Sequence, residues 1–133
     1  MKLNKRIIGI GLVAVAVVGL VACARGGRGG SAADSKVRAA IITDSAGVDD
    51  KSFNQSAWEG LQAWGKANKL EKDSGYTYFQ SNSESDFATN LSSAVDQNYN
   101  LIFGVSFRLH DAISESAKDN EKINYVIIDD VIK

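Results

Sequence analysis

The sequence predicts an α/β fold, a doubly wound parallel sheet, and three observations carry that expectation. Short apolar, partly β-branched runs alternate with longer stretches of helical periodicity. The alternation reads β-α-β-α-β-α-β, an order that implies right-handed crossovers with helices on both faces of one sheet. Polar and aromatic residues gather where each strand passes into a helix, the edge at which such sheets bind ligands. A length of 133 residues suits one domain, and 44% hydrophobic with 23% charged residues excludes a disordered chain.

Residues 1–22 (MKLNKRIIGIGLVAVAVVGLVA) place Lys2, Lys5 and Arg6 ahead of sixteen apolar or glycine residues, the layout of an export signal. A membrane-spanning helix needs about 20 apolar residues, so cleavage is expected rather than a retained anchor. The run ends in Leu20-Val21-Ala22-Cys23, similar to a bacterial lipobox, and places the chain's single cysteine where a diacylglycerol would be attached. Two acyl chains hold a protein to a membrane more firmly than one. The expected location is therefore the extracytoplasmic face of the cell membrane, lipid-anchored through Cys23. Residues 23–36 then form a Gly/Ser/Ala-rich tether, and residues 37–133 the folded lobe.

Within that lobe, residues 37–43 (VRAAIIT) read as a buried strand. Residues 52–70 carry apolar side chains at Phe53, Ala57, Leu61 and Trp64, the spacing of an amphipathic helix, with Lys66 and Lys69 near its negative pole. Residues 76–80 (YTYFQ) are strand-like, and Ser83 with Asp86 three residues on opens a helix bearing Phe87, Leu91, Ala94 and Val95 on one face. A strand follows at 101–105, a helix at 109–118, and a last buried strand at 125–128.

Composition narrows the function classes. Lys plus Arg number 15 against 16 Asp plus Glu, and removing 1–22 leaves twelve basic residues against sixteen acidic ones. Such a balance does not grip a phosphate backbone, so no nucleic acid is expected as partner, despite the RGGRGG run at 25–30. One Cys and one His cannot build a Cys/His zinc site, one Cys cannot form an internal disulfide, and no P-loop occurs. His110 lies on a polar helix face with no nucleophile in view, so it reads as a surface histidine. No cofactor, metal or catalytic residue is expected.

The junctions read 44–54 (DSAGVDDKSFN), Ser81-Asn82-Ser83, Ser106-Phe107 and Asp129-Asp130. Hydroxyls and carboxylates at one edge suit a sugar, and a ring such as Phe53 or Phe107 suits a flat heterocycle. The structural alternative makes Ser52 a helix cap, Phe53 a core anchor, and Asp49 and Asp50 charges that complement the helix dipole. Residues 43–50 (TDSAGVDD) resemble the calcium loop of nucleoside hydrolases, but Thr43 and Ser45 stand where that family has carboxylates. A response-regulator receiver needs a phospho-accepting Asp at the end of its third strand, where this chain has Ser106.

The runs 42–66 (ITDSAGVDDKSFNQSAWEGLQAWGK), SESDFATNLSSAVDQNYNLIFGVSF and YVIIDD closely resemble the basic membrane protein family of bacterial lipoproteins, purine-nucleoside-receptor-like substrate-binding proteins of ABC transporters. The resemblance implies a class I periplasmic-binding-protein fold in which two lobes close on a purine nucleoside, with a permease and an ATPase as partners. It implies that Asp44 and Asn54 hydrogen-bond the ligand and that Phe53 stacks on the base. Phe107 and Asp129 carry over as further ligand residues. On this reading the chain is a partial N-terminal lobe that binds nucleosides weakly or not at all by itself. The alternatives are a nucleoside-hydrolase-like enzyme and a surface antigen without a small-molecule site.

Overall fold

A computed structural model describes residues 37–133; the expected signal, the tether and Cys23 lie outside the described residues. The chain runs β1 (Ala39–Ile42), α1 (Phe53–Ala67), β2 (Tyr76–Phe79), α2 (Phe87–Asp96), β3 (Leu101–Val105), α3 (His110–Asp119) and β4 (Asn124–Ile128). The strands form one sheet in the order β2-β1-β3-β4, parallel throughout, with Ile42 level with Phe79 and Gly104, and Val105 level with Ile128. The expected α/β class and its alternation are thus observed.

Alternate side chains of a strand face opposite sides of a sheet, and β1 uses both. Ala40 and Ile42 pack with Ile102 against Phe87, Leu91 and Ala94 of α2 and Ile113 of α3. Ala39 and Ile41 pack with Val105 against Leu61 of α1, Leu70 and Tyr76. Full burial of an Ile or Leu contributes about 1.5–3 kcal/mol, so both layers stabilise the fold through the same four-residue strand. Gly65 lets α1 approach β2, since a Cβ there would lie 2.3 Å from the Tyr76 ring.

Helices α1 and α2 end in the same way. Lys69 and Asn98 adopt positive φ (56° and 62°), while Leu70 N–H donates to Gly65 O and Tyr99 N–H to Ala94 O. These six-to-one closures are Schellman motifs, with Lys and Asn where glycine is commonest. The left-handed residue at Lys69 stops α1 at Ala67, short of the expected residue 70.

Three other expectations are corrected. The Ser83/Asp86 pair opens a 3₁₀ turn, Glu84–Asp86, before α2 begins at Phe87, and the Asp86 carboxylate accepts from Asn82 N–H. A second 3₁₀ turn, Phe107–Leu109, precedes α3, whose first residue is His110. The expected last buried strand, β4, is a half-exposed sheet edge with Val126 39% exposed. Its Tyr125 packs on the α2 and α3 side, whereas the opposite face beyond α1 has no covering helix among the described residues.

Candidate functional site

All four strands present their carboxyl ends to one edge, where the loops after β1, β3 and β4 meet the start of α1. They enclose a cleft of about 380 Å³ whose lining includes Asp44, Asp50, Phe53, Asn54, Ser106, Phe107, Arg108 and Asp129. The five residues singled out from the sequence therefore stand around one cavity. A wider hollow, about 770 Å³, lies at the opposite edge beside Asn98, Lys118, Asn120 and Lys122. It is open and shares no residue with the strand-to-helix junctions, so it does not compete as the site.

The floor of the cleft is a hydrogen-bonded cluster. Asn54, 2% exposed in the first turn of α1, donates from Nδ2 to Asp44 Oδ1 at 2.8 Å and to Asp50 Oδ2 at 2.9 Å. Asp44 Oδ1 also accepts from Ala46 N–H at 3.0 Å, closing the turn that Gly47 completes at φ 73°. Asp50 accepts from the backbone N–H groups of Ser52, Asn54 and Gln55 at 2.8, 3.1 and 3.0 Å. Burial would raise the Asp50 pKa, but these N–H donors and the Asn54 amide outweigh it and hold the carboxyl below its ordinary value.

Asp50 is thus the residue that satisfies the helix start. Ser52 holds the N-cap position but makes no side-chain capping bond. The acid two positions earlier does the capping, an arrangement that favours negative charge at a helix N-terminus. Asp50 was legible in the sequence only as a dipole-complementing charge, indistinguishable there from Asp49, which is exposed and outside the cleft.

The rim carries two rings. Phe53 is 56% exposed and Phe107 61% exposed, so neither is a core anchor. Between them the chain leaves β3 through Ser106 at φ 104° and leaves β4 through Asp129 at φ 72°. Left-handed conformations at non-glycine residues store strain of order 1–3 kcal/mol each and cluster at functional sites. Ser106 Oγ accepts from Arg108 N–H, and Arg108 meets Glu84 at 3.5 Å on the surface. The chain after Asp129 is tied down by His110, whose Nδ1 lies 2.6 Å from Asp130 Oδ2. The N–H of Val131 and then the His110 side chain hold the Asp130 pKa below its ordinary value.

The second junction does not reach the cleft. Ser81 is fully buried, its N–H donating to Thr43 Oγ1 and its hydroxyl accepting from Asn90 Nδ2, so it knits β1 to α2. Among the described residues no cluster of His, Cys, Asp and Glu is arranged to hold a metal ion, and no helix is long and apolar enough to cross a membrane.

Residues 36–133 match the family described as Bmp: ABC transporter substrate-binding protein PnrA-like. The chain belongs to this family. It is 53% identical over 134 residues to the ABC transporter nucleoside-binding protein BmpA of Lactococcus lactis subsp. cremoris, a match covering 98% of the chain and 38% of that relative. Over 94 residues it is 55% identical to the CD4+ T-cell-stimulating antigen of Listeria monocytogenes, covering 70% of the chain and 26% of the relative. The chain thus spans well under half the length of these curated relatives. Its fold is shared with an ABC transporter solute-binding protein of Aeropyrum pernix K1, at TM-score 0.63 and 18% identity, over 73% of this chain and 25% of that one. The family and the α/β fold expected from the sequence are both found.

Proposed function

We propose that residues 37–133 form one wall of a nucleoside-binding cleft in a substrate-binding lipoprotein of an ABC transporter. The observation that carries this reading is the pair of exposed rings, Phe53 and Phe107, on the rim of a cleft floored by the Asp44–Asn54–Asp50 cluster. Exposed aromatic rings stack on a flat base, and carboxylates accept strongly from ribose hydroxyls. Three carboxylates, Asp44, Asp50 and Asp129, face Arg108 alone in the lining, which favours a neutral nucleoside over its phosphorylated forms. The name of the Lactococcus relative supports the same ligand class.

In this reading Asp44, Phe53, Asn54, Phe107 and Asp129 hold the ligand, and the ligand leaves unchanged. The single histidine is engaged by Asp130 and stands outside the cleft lining. Residues 1–22 serve as export signal, Cys23 carries the lipid, 23–36 form the tether, and a permease and an ATPase complete the transporter.

The test is a titration of the full chain, held in detergent micelles for its apolar N-terminal run, with adenosine, guanosine and inosine. Resonances of Phe53, Asn54 and Phe107 should shift together, saturating only at high nucleoside because one wall encloses little of the ligand. No shift at millimolar nucleoside, or shifts confined to the hollow at the opposite edge, would contradict the proposal.

A further inference from the structure

The amide of Asn54 sits between two carboxylates, and that placement permits one orientation. A carboxylate oxygen only accepts and an amide NH₂ only donates, so the group facing Asp44 Oδ1 and Asp50 Oδ2 is the NH₂. Turning the amide over would set its oxygen against two carboxylate oxygens. The Asn54 Oδ1 is consequently committed to the other side of the amide, where it is buried and has no hydrogen-bond partner in the protein. An unpaired buried acceptor is destabilising, and two charge-assisted bonds from the same side chain offset it here.

The two carboxylates are not equivalent in this arrangement. Asp44 has one further bond, from Ala46 N–H, whereas Asp50 is clamped by three backbone N–H groups at the start of α1. Asp50 therefore cannot swing away without unsatisfying the helix terminus, and the amide must conform to it. Resting on the reading that the cleft takes a nucleoside, we propose that Asp50 is a positioning residue. Acting through Asn54, it holds the amide of the cleft floor in one orientation, and the ligand's grip on the cleft depends on that fixed floor.

Asp50→Asn weakens this hold: Oδ1 still accepts from the N–H groups of Ser52 and Gln55, while an NH₂ replaces the Oδ2 that receives both the Asn54 amide and the Asn54 backbone N–H. Asp49→Asn removes the same charge one residue earlier, at an exposed position outside the cleft, and serves as the control. Two quantities are read on the full chain in micelles: hydrogen exchange of the Asn54 side-chain NH₂, and the adenosine concentration at half-saturation. In Asp50→Asn the exchange should quicken and the half-saturation concentration rise, each about tenfold, as loss of a bond to a charged group implies. Asp49→Asn should change neither. Asp50→Ser, which keeps one capping acceptor, is the second variant should Asp50→Asn fail to fold, with the same expected readouts.

Unchanged Asn54 exchange in the variant overturns the proposal whatever the affinity does, and so does quickened exchange with unchanged affinity. A parent chain blind to adenosine overturns the nucleoside reading and the ligand half of the proposal with it. The exchange measurement then decides the orienting role by itself.

Discussion

Replacing Asn54 by Asp changes one atom of the cleft floor and reverses its electrostatics. The parent NH₂ donates at 2.8 and 2.9 Å to Asp44 and Asp50, and the variant puts a third carboxylate oxygen in its place. Two hydrogen bonds to charged acceptors are lost, each contributing about 1.5–3 kcal/mol, so a loss of about 3 kcal/mol or more is expected at neutral pH. For a domain of this size that lowers Tm by roughly 10–20 °C. The loss must also depend on pH. Crowded carboxylates raise the folded-state pKa of one of them above its unfolded value of about 3.9. Protonation relieves the repulsion, so the deficit is smallest below the unfolded pKa and grows as pH rises through the raised folded value. Thermal unfolding of parent and Asn54→Asp chains, followed by circular dichroism near pH 4 and pH 7, measures both effects. A deficit under about 1 kcal/mol at pH 7, or an equal deficit at both pH values, would refute the bridging geometry.

Three more outcomes follow from the packing and the site. Gly65→Ala places a methyl 2.3 Å from the Tyr76 ring and should destabilise the fold by about 1–3 kcal/mol in denaturant unfolding, and an unchanged midpoint would contradict the close approach of α1 to β2. Phe53→Ala and Phe107→Ala remove exposed rings, so stability should move by less than about 0.5 kcal/mol while adenosine-induced shifts disappear; a large stability loss would return those rings to the core. Asp50 and Asp130 both have lowered folded-state pKa values, so their contribution is present above the unfolded carboxylate pKa and is lost as pH falls through the folded values. Asp130→Asn should flatten part of that acid loss, read as denaturant midpoint against pH, and an unaltered profile would discount the Asp130 pairing.

The fold was legible because its elements announce themselves by period: β1 is a four-residue apolar run, and α1 repeats Phe53, Ala57, Leu61 and Trp64 along one side. Topology then led to the cleft, since parallel strands must deliver all their junctions to one edge. The burial expected of β4 is not found because an apolar run at an edge looks the same in sequence as one in the middle, and only the sheet order shows how little covers it. Lys69 gave no sign of a left-handed turn, whereas Asn98 is a residue type that adopts one readily. Ser52 had the composition of a cap, yet the bonds come from Asp50, because a longer side chain two positions earlier reaches the same N–H groups. Nothing in the linear sequence separates Asp49 from Asp50; the distinction arises when the turn aims one of them at α1.

The central claim, that this edge of the sheet is one wall of a nucleoside cleft, is tested most directly by photolabelling the full chain with azidoadenosine and locating the modified peptides by mass spectrometry. Labelling is expected on the segments that carry Phe53 and Phe107, and excess adenosine should suppress it. Labelling that resists competition, or that falls on the segments around Asn98 and Lys122 at the opposite edge, would contradict the account.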